Sequence, residues 1–183
     1  IKFIASRMGQ KKALLFGTYG AIGTSVLMFC LMVWGDPSSF SFTNISFFTI
    51  AFCLLWIFQK GFSGISGNIV IPMTADCADY ETYRTGKYVP GLMGTLFSFV
   101  DKVISSLAST IVALMFALVG YAQEVPTDKS PWSEGLFWVV VIAFTIVPII
   151  GWLCNVVAMK FYPLTKEKME EIQEKIAEIK AKN

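Results

Sequence analysis

Long apolar runs, separated by short polar segments, dominate the pattern along the chain. Four of them lie between turn-forming or charged segments, at about 13–34, 45–71, 91–121 and 135–162. Each is long enough for a helix that crosses a hydrocarbon core of ~30 Å, which takes ~20 residues. The ten-residue alternation of membrane β-strands is absent. The pattern therefore predicts an all-α integral membrane protein with four transmembrane helices.

The two ends of the chain have a different pattern. Residues 1–12 read as the end of a preceding helix plus a loop, and the apolar start without an initiator Met indicates a piece of a longer protein. In 163–183, Pro163 ends the last span and Thr165 is placed to cap a new helix. Apolar residues at three- and four-residue spacing then predict an amphipathic tail helix. It either leans on the membrane face or binds a partner.

Composition supports a membrane protein and excludes several functions. The chain is 55% hydrophobic and 15% charged, against roughly 25% charged residues in soluble domains. It has no histidine, and its four cysteines lack metal-site spacing, so no metal or other cofactor is expected. Neither a nucleophile–base pair nor a phosphate-binding loop occurs, so we expect no enzyme. Membrane lipids are expected partners and nucleic acid is not.

The basic residues predict the orientation. Twelve of the 15 lysines and arginines lie before the first span, between the second and third, or after the last. The positive-inside rule places these segments in the cytoplasm. We therefore expect a multi-pass protein of the cell membrane, a bacterial inner or plasma membrane, with a cytoplasmic C-terminus.

The polar stretch "MTADCADYETYRTGKYVPG", Met73–Gly91, interrupts this apolar sequence. Its "ADxxDY" at 75–80 is followed by a basic residue and "TG" at 84–86, then by Lys102 and "LVGY" at 118–121. This combination resembles the loop between helices 10 and 11, and helix 11 itself, of the glycoside–pentoside–hexuronide:cation symporters. These are the melibiose-permease-like branch of the major facilitator superfamily. A weaker similarity, "SRMGQKKALLFG", resembles the superfamily's "DRxGRR" loop, with Ser6 in place of the acid.

The resemblance implies a fold and a function. The chain would be the C-terminal part of a 12-helix major facilitator fold, comprising the end of helix 8 plus helices 9–12. It would belong to a transporter that moves sugars, glycosides or glucuronides with sodium or a proton by alternating access. The N-terminal half of that transporter would then be a partner and hold the main cation site. Two alternatives remain open: a lipid-carrying relative of the same fold, and a four-helix membrane scaffold or accessory subunit.

The polar stretch is predicted to act as a cytoplasmic gate. On a continuing helix Asp76 and Asp79 share one face with tyrosines close by, and basic residues lie within reach. Such a cluster latches one side of a transporter when it opens to the other. The alternative is an exposed charge cluster that only fixes topology. The predicted gate residues are Asp76, Asp79, Tyr80, Arg84, Thr85 and Gly86.

Three charged residues lie deep in predicted spans, where an unpartnered charge is costly. The resemblance implies that Lys102 lies near the cation and sugar sites and pairs with carboxylates of the missing half. Lys60 and Asp101 have similar depths on adjacent antiparallel helices, which predicts an ion pair. Alternatively, Lys60 contacts an anionic substrate such as a glucuronide.

Smaller polar signals complete the predicted pathway. Gly61, Gly64 and Gly67 either allow close helix packing or create a flexible point, with Asn68 beside the sugar path. Pro148 is expected to kink the last span, and Asn155 is expected to make a helix–helix hydrogen bond.

Overall fold

The computed structural model describes residues 7–122, 126–127 and 130–182, with side chains up to Glu178. The predicted stub of a preceding helix, Ile1–Ile4, lies outside the described residues. The long helices are α1 (Gln10–Trp34), α2 (Phe47–Thr85) and α3 (Pro90–Leu118). A continuous helical rod follows, made of α4 (Glu134–Val141), a π-helical turn (Ile142–Ile146) and α5 (Val147–Phe161). The tail helix is α6 (Lys166–Lys182), and one short 3₁₀ turn, Pro37–Ser39, lies between α1 and α2.

The all-helical membrane architecture is confirmed. Four helical segments in the described part of the chain, α1, α2, α3 and the Glu134–Phe161 rod, are long and apolar enough to cross a membrane. They coincide with the four predicted runs except at one end of α2.

Helix α2 extends well past the predicted end of its span at 71. Its 39 residues correspond to a length of ~58 Å, far more than a bilayer core needs. The stretch predicted as a connecting loop is therefore helical as far as Thr85. The helix ends at Gly86, which has φ +72° and donates its N–H to the Thr82 carbonyl at 2.8 Å. A left-handed residue of this kind, usually glycine, is a common way to end a helix.

The core lies where α1, α2 and α5 meet. Gly17 and Gly20 allow α1 to approach α2, because a Cβ on Gly17 would lie 2.8 Å from the Ser66 hydroxyl oxygen. At the same level, Asn155 Nδ2 donates to Thr18 Oγ1 at 2.9 Å, and Thr18 Oγ1 lies 3.0 Å from Ser66 Oγ. The predicted helix–helix hydrogen bond of Asn155 is thus confirmed.

The irregularity predicted around Pro148 takes the form of the π-helical turn just before it. Proline has no N–H to donate to the preceding turn, so the helix needs a local adjustment there. Phe144, within that turn, stacks on Trp56 of α2 with ring centroids 4.6 Å apart. The turn therefore helps to hold the rod against α2.

Helix α3 is exposed over most of its length. None of its 29 residues is buried, although the helix is apolar enough to span a membrane. Its middle section, which includes Asp101 and Lys102, is exposed to the surroundings at every residue from 95 to 111. The described part of the chain thus leaves this helix without a cover.

Candidate functional site

Three segments meet at one end of the bundle, which we call the basic end. They are the start of α1, the last turns of α2 and the tail helix α6. Lys11 Nζ donates to the Tyr162 carbonyl at 2.6 Å, and Gly9, with φ +80°, packs against Lys166. Lysines occur at the start of α1 and along α6, and the last turns of α2 carry the predicted gate residues.

The tail helix packs an apolar face against the end of α2, around the gate residue Tyr80. Ile172 is fully buried, and Ile176 and Leu164 are nearly so. This cluster packs against residues at the end of α2 and beside α6: Cys77, Tyr80, Tyr83, Tyr162 and Met169. The tail helix has an apolar face, and that face is directed at the protein.

The two acids of "ADxxDY" have different neighbours. Asp79 Oδ2 accepts a hydrogen bond from Gln173 Nε2 of α6 at 2.6 Å. Asp76 lies three residues earlier, beside the Gln10 side chain of α1. Asp76 also lines a cavity of about 460 Å³ between α1, α2 and α6. Each acid therefore lies beside a different segment of the basic end.

The tyrosines of this region face the lysines of the tail. Tyr80 and Tyr83 stack with ring centroids 6.3 Å apart. Lys175 Nζ donates to the Tyr83 hydroxyl at 3.3 Å and lies 5.2 Å from the centre of its ring. Lys168 Nζ lies over the same ring at 5.8 Å. These cation–π contacts bind the charged part of the tail to α2.

Ion pairs within α6 keep its charges in place. Glu171 accepts from Lys168 at 2.8 Å and from Lys175 at 3.3 Å. These hydrogen bonds lower the pKa of Glu171 and raise the pKa of Lys168. The hydrogen bond with Tyr83, together with that to Glu171, raises the pKa of Lys175. All three groups stay charged around neutral pH.

The remaining gate residues have local partners. Arg84 pairs with Glu81, one turn earlier on α2, at 3.3 Å. The Thr85 hydroxyl donates to the Glu81 carbonyl at 2.8 Å, and Gly86 ends the helix. The structure therefore joins Asp79 and Tyr80 to the tail but leaves Arg84 apart from both acids of the motif.

The predicted pathway residues of α2 lie on one exposed face. Lys60, Gly61, Gly67 and Asn68 are all exposed, and their spacing places them along one side of the helix. Asn68 Nδ2 donates to the Gly64 carbonyl at 2.7 Å. A Cβ added to Gly61, Gly64 or Gly67 would meet nothing within 4 Å. The predicted close packing at these glycines is thus not made by the described residues, and it occurs at Gly17 and Gly20 instead.

The predicted ion pair between Lys60 and Asp101 is wrong for this structure. Within the described residues, the ammonium group of Lys60 lies 4.7 Å from the centre of the Trp56 ring, and no ion pair joins it to Asp101. Trp56 is one helical turn before Lys60, and Phe144 stacks on its ring, so the nearest partner is on the same helix. Asp101 and Lys102 remain exposed on α3.

The sequence interpretation missed the residues that hold the basic end together. Gln173 and Gln10 are neutral side chains, and nothing in their own pattern indicates that Gln173 binds Asp79 or that Gln10 lies beside Asp76. The available signal was the position of Gln173 between Ile172 and Ile176, on the apolar side of α6. No group of three potential metal ligands occurs among the residues that the structure describes.

Comparisons with known proteins agree with this architecture. The chain matches the family described as MFS/sugar transport protein over residues 1–166. It is 28% identical to the "Glucuronide carrier protein homolog" of Escherichia coli strain K12, over 92% of this chain and 33% of that protein. It is 24% identical to the "Isoprimeverose transporter" of Lactiplantibacillus pentosus, over 88% of this chain and 30% of that protein.

The name of a third relative states a cellular location for that protein. The "Inner membrane symporter YicJ" of Escherichia coli strain K12 is 29% identical over 63% of this chain and 25% of that protein. No solved structure matches the chain. The chain spans about a third of the length of the first two relatives.

With a family match over nearly its whole length and four membrane-spanning helices, the chain belongs to the MFS/sugar transport protein family, whose members are transporters rather than enzymes.

Proposed function

We propose that this chain is the C-terminal part of a cation-coupled symporter for sugars, glycosides or glucuronides that works by alternating access. Sodium or a proton would be the coupling ion, with its main site on the N-terminal half. The basic end would face the cytoplasm, with the C-terminus on that side, because basic segments are retained there. The spans would occupy about 13–34, 45–71, 91–121 and 135–162, with the tail from 163 onward.

The observation that carries the proposal is the exposure of α3. A 29-residue apolar helix with no buried residue carries adjacent charges, Asp101 and Lys102, near its middle. A charge at bilayer depth costs at least ~2.5 kcal/mol unless it meets a partner or water. Transporters place their substrate and ion sites near the midplane, between repeats. We therefore assign this face to the interface with the N-terminal half and to the solute path.

Within this proposal, the exposed residues of α2 would line the same path. Asn68, next to the open glycines, is positioned to hydrogen-bond sugar hydroxyls. Lys60, resting on Trp56, would contact the carboxylate of an acidic sugar. Lys102 would pair with carboxylates of the N-terminal half. At the basic end, Asp76, Asp79, Tyr80 and Arg84 would form the cytoplasmic gate.

The first experiment asks whether the transported sugar is acidic or neutral. A glucuronide carries a carboxylate, whereas isoprimeverose is a neutral sugar, and one relative's name refers to each. The complete gene product would be reconstituted in vesicles, and uptake of a labelled glucuronide and a labelled neutral glycoside would be compared for the wild type, Lys60→Gln and Lys102→Gln.

The expected outcome separates the two lysines. Lys60→Gln should raise the KM for the glucuronide about tenfold, since a charge-assisted hydrogen bond is worth ~1.5 kcal/mol or more, and leave the neutral glycoside unaffected. Lys102→Gln should reduce uptake of both. Equal effects of Lys60→Gln on both substrates would remove Lys60 from the substrate site. Absence of any sugar uptake by the wild type, with movement of labelled lipid, would favour a lipid carrier.

A further inference from the structure

The tail helix α6 packs against the end of α2 and contacts two of the gate residues, Asp79 and Tyr80. Its apolar face is buried on Cys77, Tyr80 and Tyr83, and Ile172 is wholly inaccessible. A helix that only rests on lipid would place these isoleucines against the membrane. The structure instead directs them at the end of α2.

The polar contact at this surface involves a gate residue directly. Gln173 Nε2 donates to Asp79 Oδ2 at 2.6 Å, and both residues retain access to solvent. A hydrogen bond to an ionised carboxylate is shorter and stronger than one between neutral groups. It fixes one oxygen of Asp79 and leaves Oδ1 available to a further donor.

Arg84 does not take this position. Its guanidinium pairs with Glu81 at 3.3 Å and remains 64% exposed. Within the described residues, the side chain bound to Asp79 thus comes from the tail and is neutral. A neutral partner leaves the carboxylate open to pairing with a basic group on another part of the protein.

We propose that α6 is a positioning element of the gate and that Gln173 holds the Asp79 carboxylate in the orientation in which it meets a basic group of the opposite half. This inference rests on the proposed transport function. An unrestrained carboxylate loses rotational freedom each time the gate closes, and the bond to Gln173 removes part of that cost beforehand. Gln173 acts through Asp79 and lies outside the substrate path, so it should affect turnover rather than substrate affinity.

The test compares Gln173→Leu and Gln173→Glu with a control on the same helix, Glu178→Gln, which is exposed and lies away from the buried face. Each variant is made in the complete gene product, and KM and Vmax for labelled sugar uptake are measured. Gln173→Leu should lower Vmax about fivefold with KM unchanged, which is what one ordinary hydrogen bond is worth. Gln173→Glu, which places two carboxylates together, should lower Vmax further.

A donor–acceptor exchange tests the contact itself. In the double variant Asp79→Asn with Gln173→Glu, the new amide donates to the new carboxylate, so the bond is restored in the opposite direction. The midpoint of thermal unfolding in detergent should therefore recover above that of Gln173→Glu alone, whereas Vmax should stay low because the exchange removes the negative charge from position 79. A midpoint of the double variant no higher than that of Gln173→Glu would overturn the direct contact.

Docking of the tail is followed separately, so that positioning is distinguished from folding. Ile172→Cys, beside the native Cys77, is oxidised in a background where every other cysteine of the complete gene product is serine, and the cross-linked peptide is quantified by mass spectrometry. Gln173→Leu should leave the cross-link yield unchanged while Vmax falls. Two results would overturn the positioning role. One is uptake by Gln173→Leu equal to that of Glu178→Gln, and the other is a loss of uptake by Gln173→Leu that is accompanied by reduced cross-linking. A wild type without sugar uptake overturns the transport function first, and the inference with it.

Discussion

At the scale of single residues, two small side chains and one amide determine how the helices meet. Thr18 and Ser66 both lie within hydrogen-bond reach of the Leu14 carbonyl, and Asn155 donates to Thr18 from the opposite helix. Thr18 is fully buried and Ser66 almost so. We call this hydrogen-bonded group of Thr18, Ser66 and Asn155 the polar node. Because it joins α1, α2 and α5 inside an apolar bundle, it fixes their relative positions.

The close approach of α1 to α2 predicts a position-specific effect of glycine substitution. A Cβ at residue 17 would lie 2.9 Å from the Phe62 carbonyl oxygen, whereas one at residue 23 would meet nothing within 4 Å. Gly17→Ala should therefore destabilise the protein by ~1–3 kcal/mol through overpacking. Gly23→Ala should be neutral or slightly stabilising because alanine favours helix. Thermal unfolding in detergent checks this, and equal midpoints for the two variants would contradict the packing described.

The polar node predicts an energetic coupling between α1 and α5. Asn155→Ala and Thr18→Ala should each lower the free energy of unfolding. The double variant should lose less than the sum of the two single losses. Hydrogen bonds within membranes typically couple by ~0.6 kcal/mol and at most ~1.7 kcal/mol. Thr24→Ala is the control, since Thr24 bonds only to carbonyls of its own helix. A double-mutant cycle for residues 18 and 155 that gives simple additivity would mean that the bond does not form.

At the scale of elements, the apolar pattern predicted all four membrane helices and the tail. Length and hydropathy decide whether a segment spans, and both are local properties of the sequence. The extension of α2 to Thr85 was missed because its charged residues resemble a loop by composition, and aspartate is a weak helix former. The packing of the tail on Tyr80 and Tyr83, which supports the helix there, is not a local property of the sequence. Tertiary partners were harder to predict: the expected Lys60–Asp101 pair is replaced by Lys60 on Trp56.

The buried face of the tail helix leads to a prediction at the same scale. Ile172→Asp should undock α6, because an unpaired carboxylate cannot be buried in the cluster with Tyr80 and Tyr83 without a large cost. Trypsin should then cut at the tail lysines several times faster than in the wild type. Ala177→Asp, at an exposed position of the same helix, should leave the cleavage rate unchanged. Similar cleavage rates in the two variants would show that the tail is not docked through this face.

At the scale of the whole molecule, the described helices form a partly covered assembly. α1, α2 and α5 pack around the node, while α3 and one face of α2 remain exposed with their charges and open glycines. The family match accounts for the architecture, and the exposed face is where the proposed function requires a second half. The mid-span charges in the sequence could indicate this face, but the groups that would cover them under the proposed function are not part of the described structure.

The measurement that tests the central claim most directly is gradient-driven uptake by the complete gene product in sealed proteoliposomes. Labelled glucuronide and neutral glycoside would be offered with an inward sodium gradient, with an inward proton gradient, and with neither. Symport predicts that sugar accumulates above its equilibrium level under one of the two gradients. It also predicts that this accumulation is lost when an ionophore collapses that gradient. Uptake that never exceeds equilibration, or no uptake of either sugar under both gradients, would contradict the assignment of this chain to a cation-coupled sugar symporter.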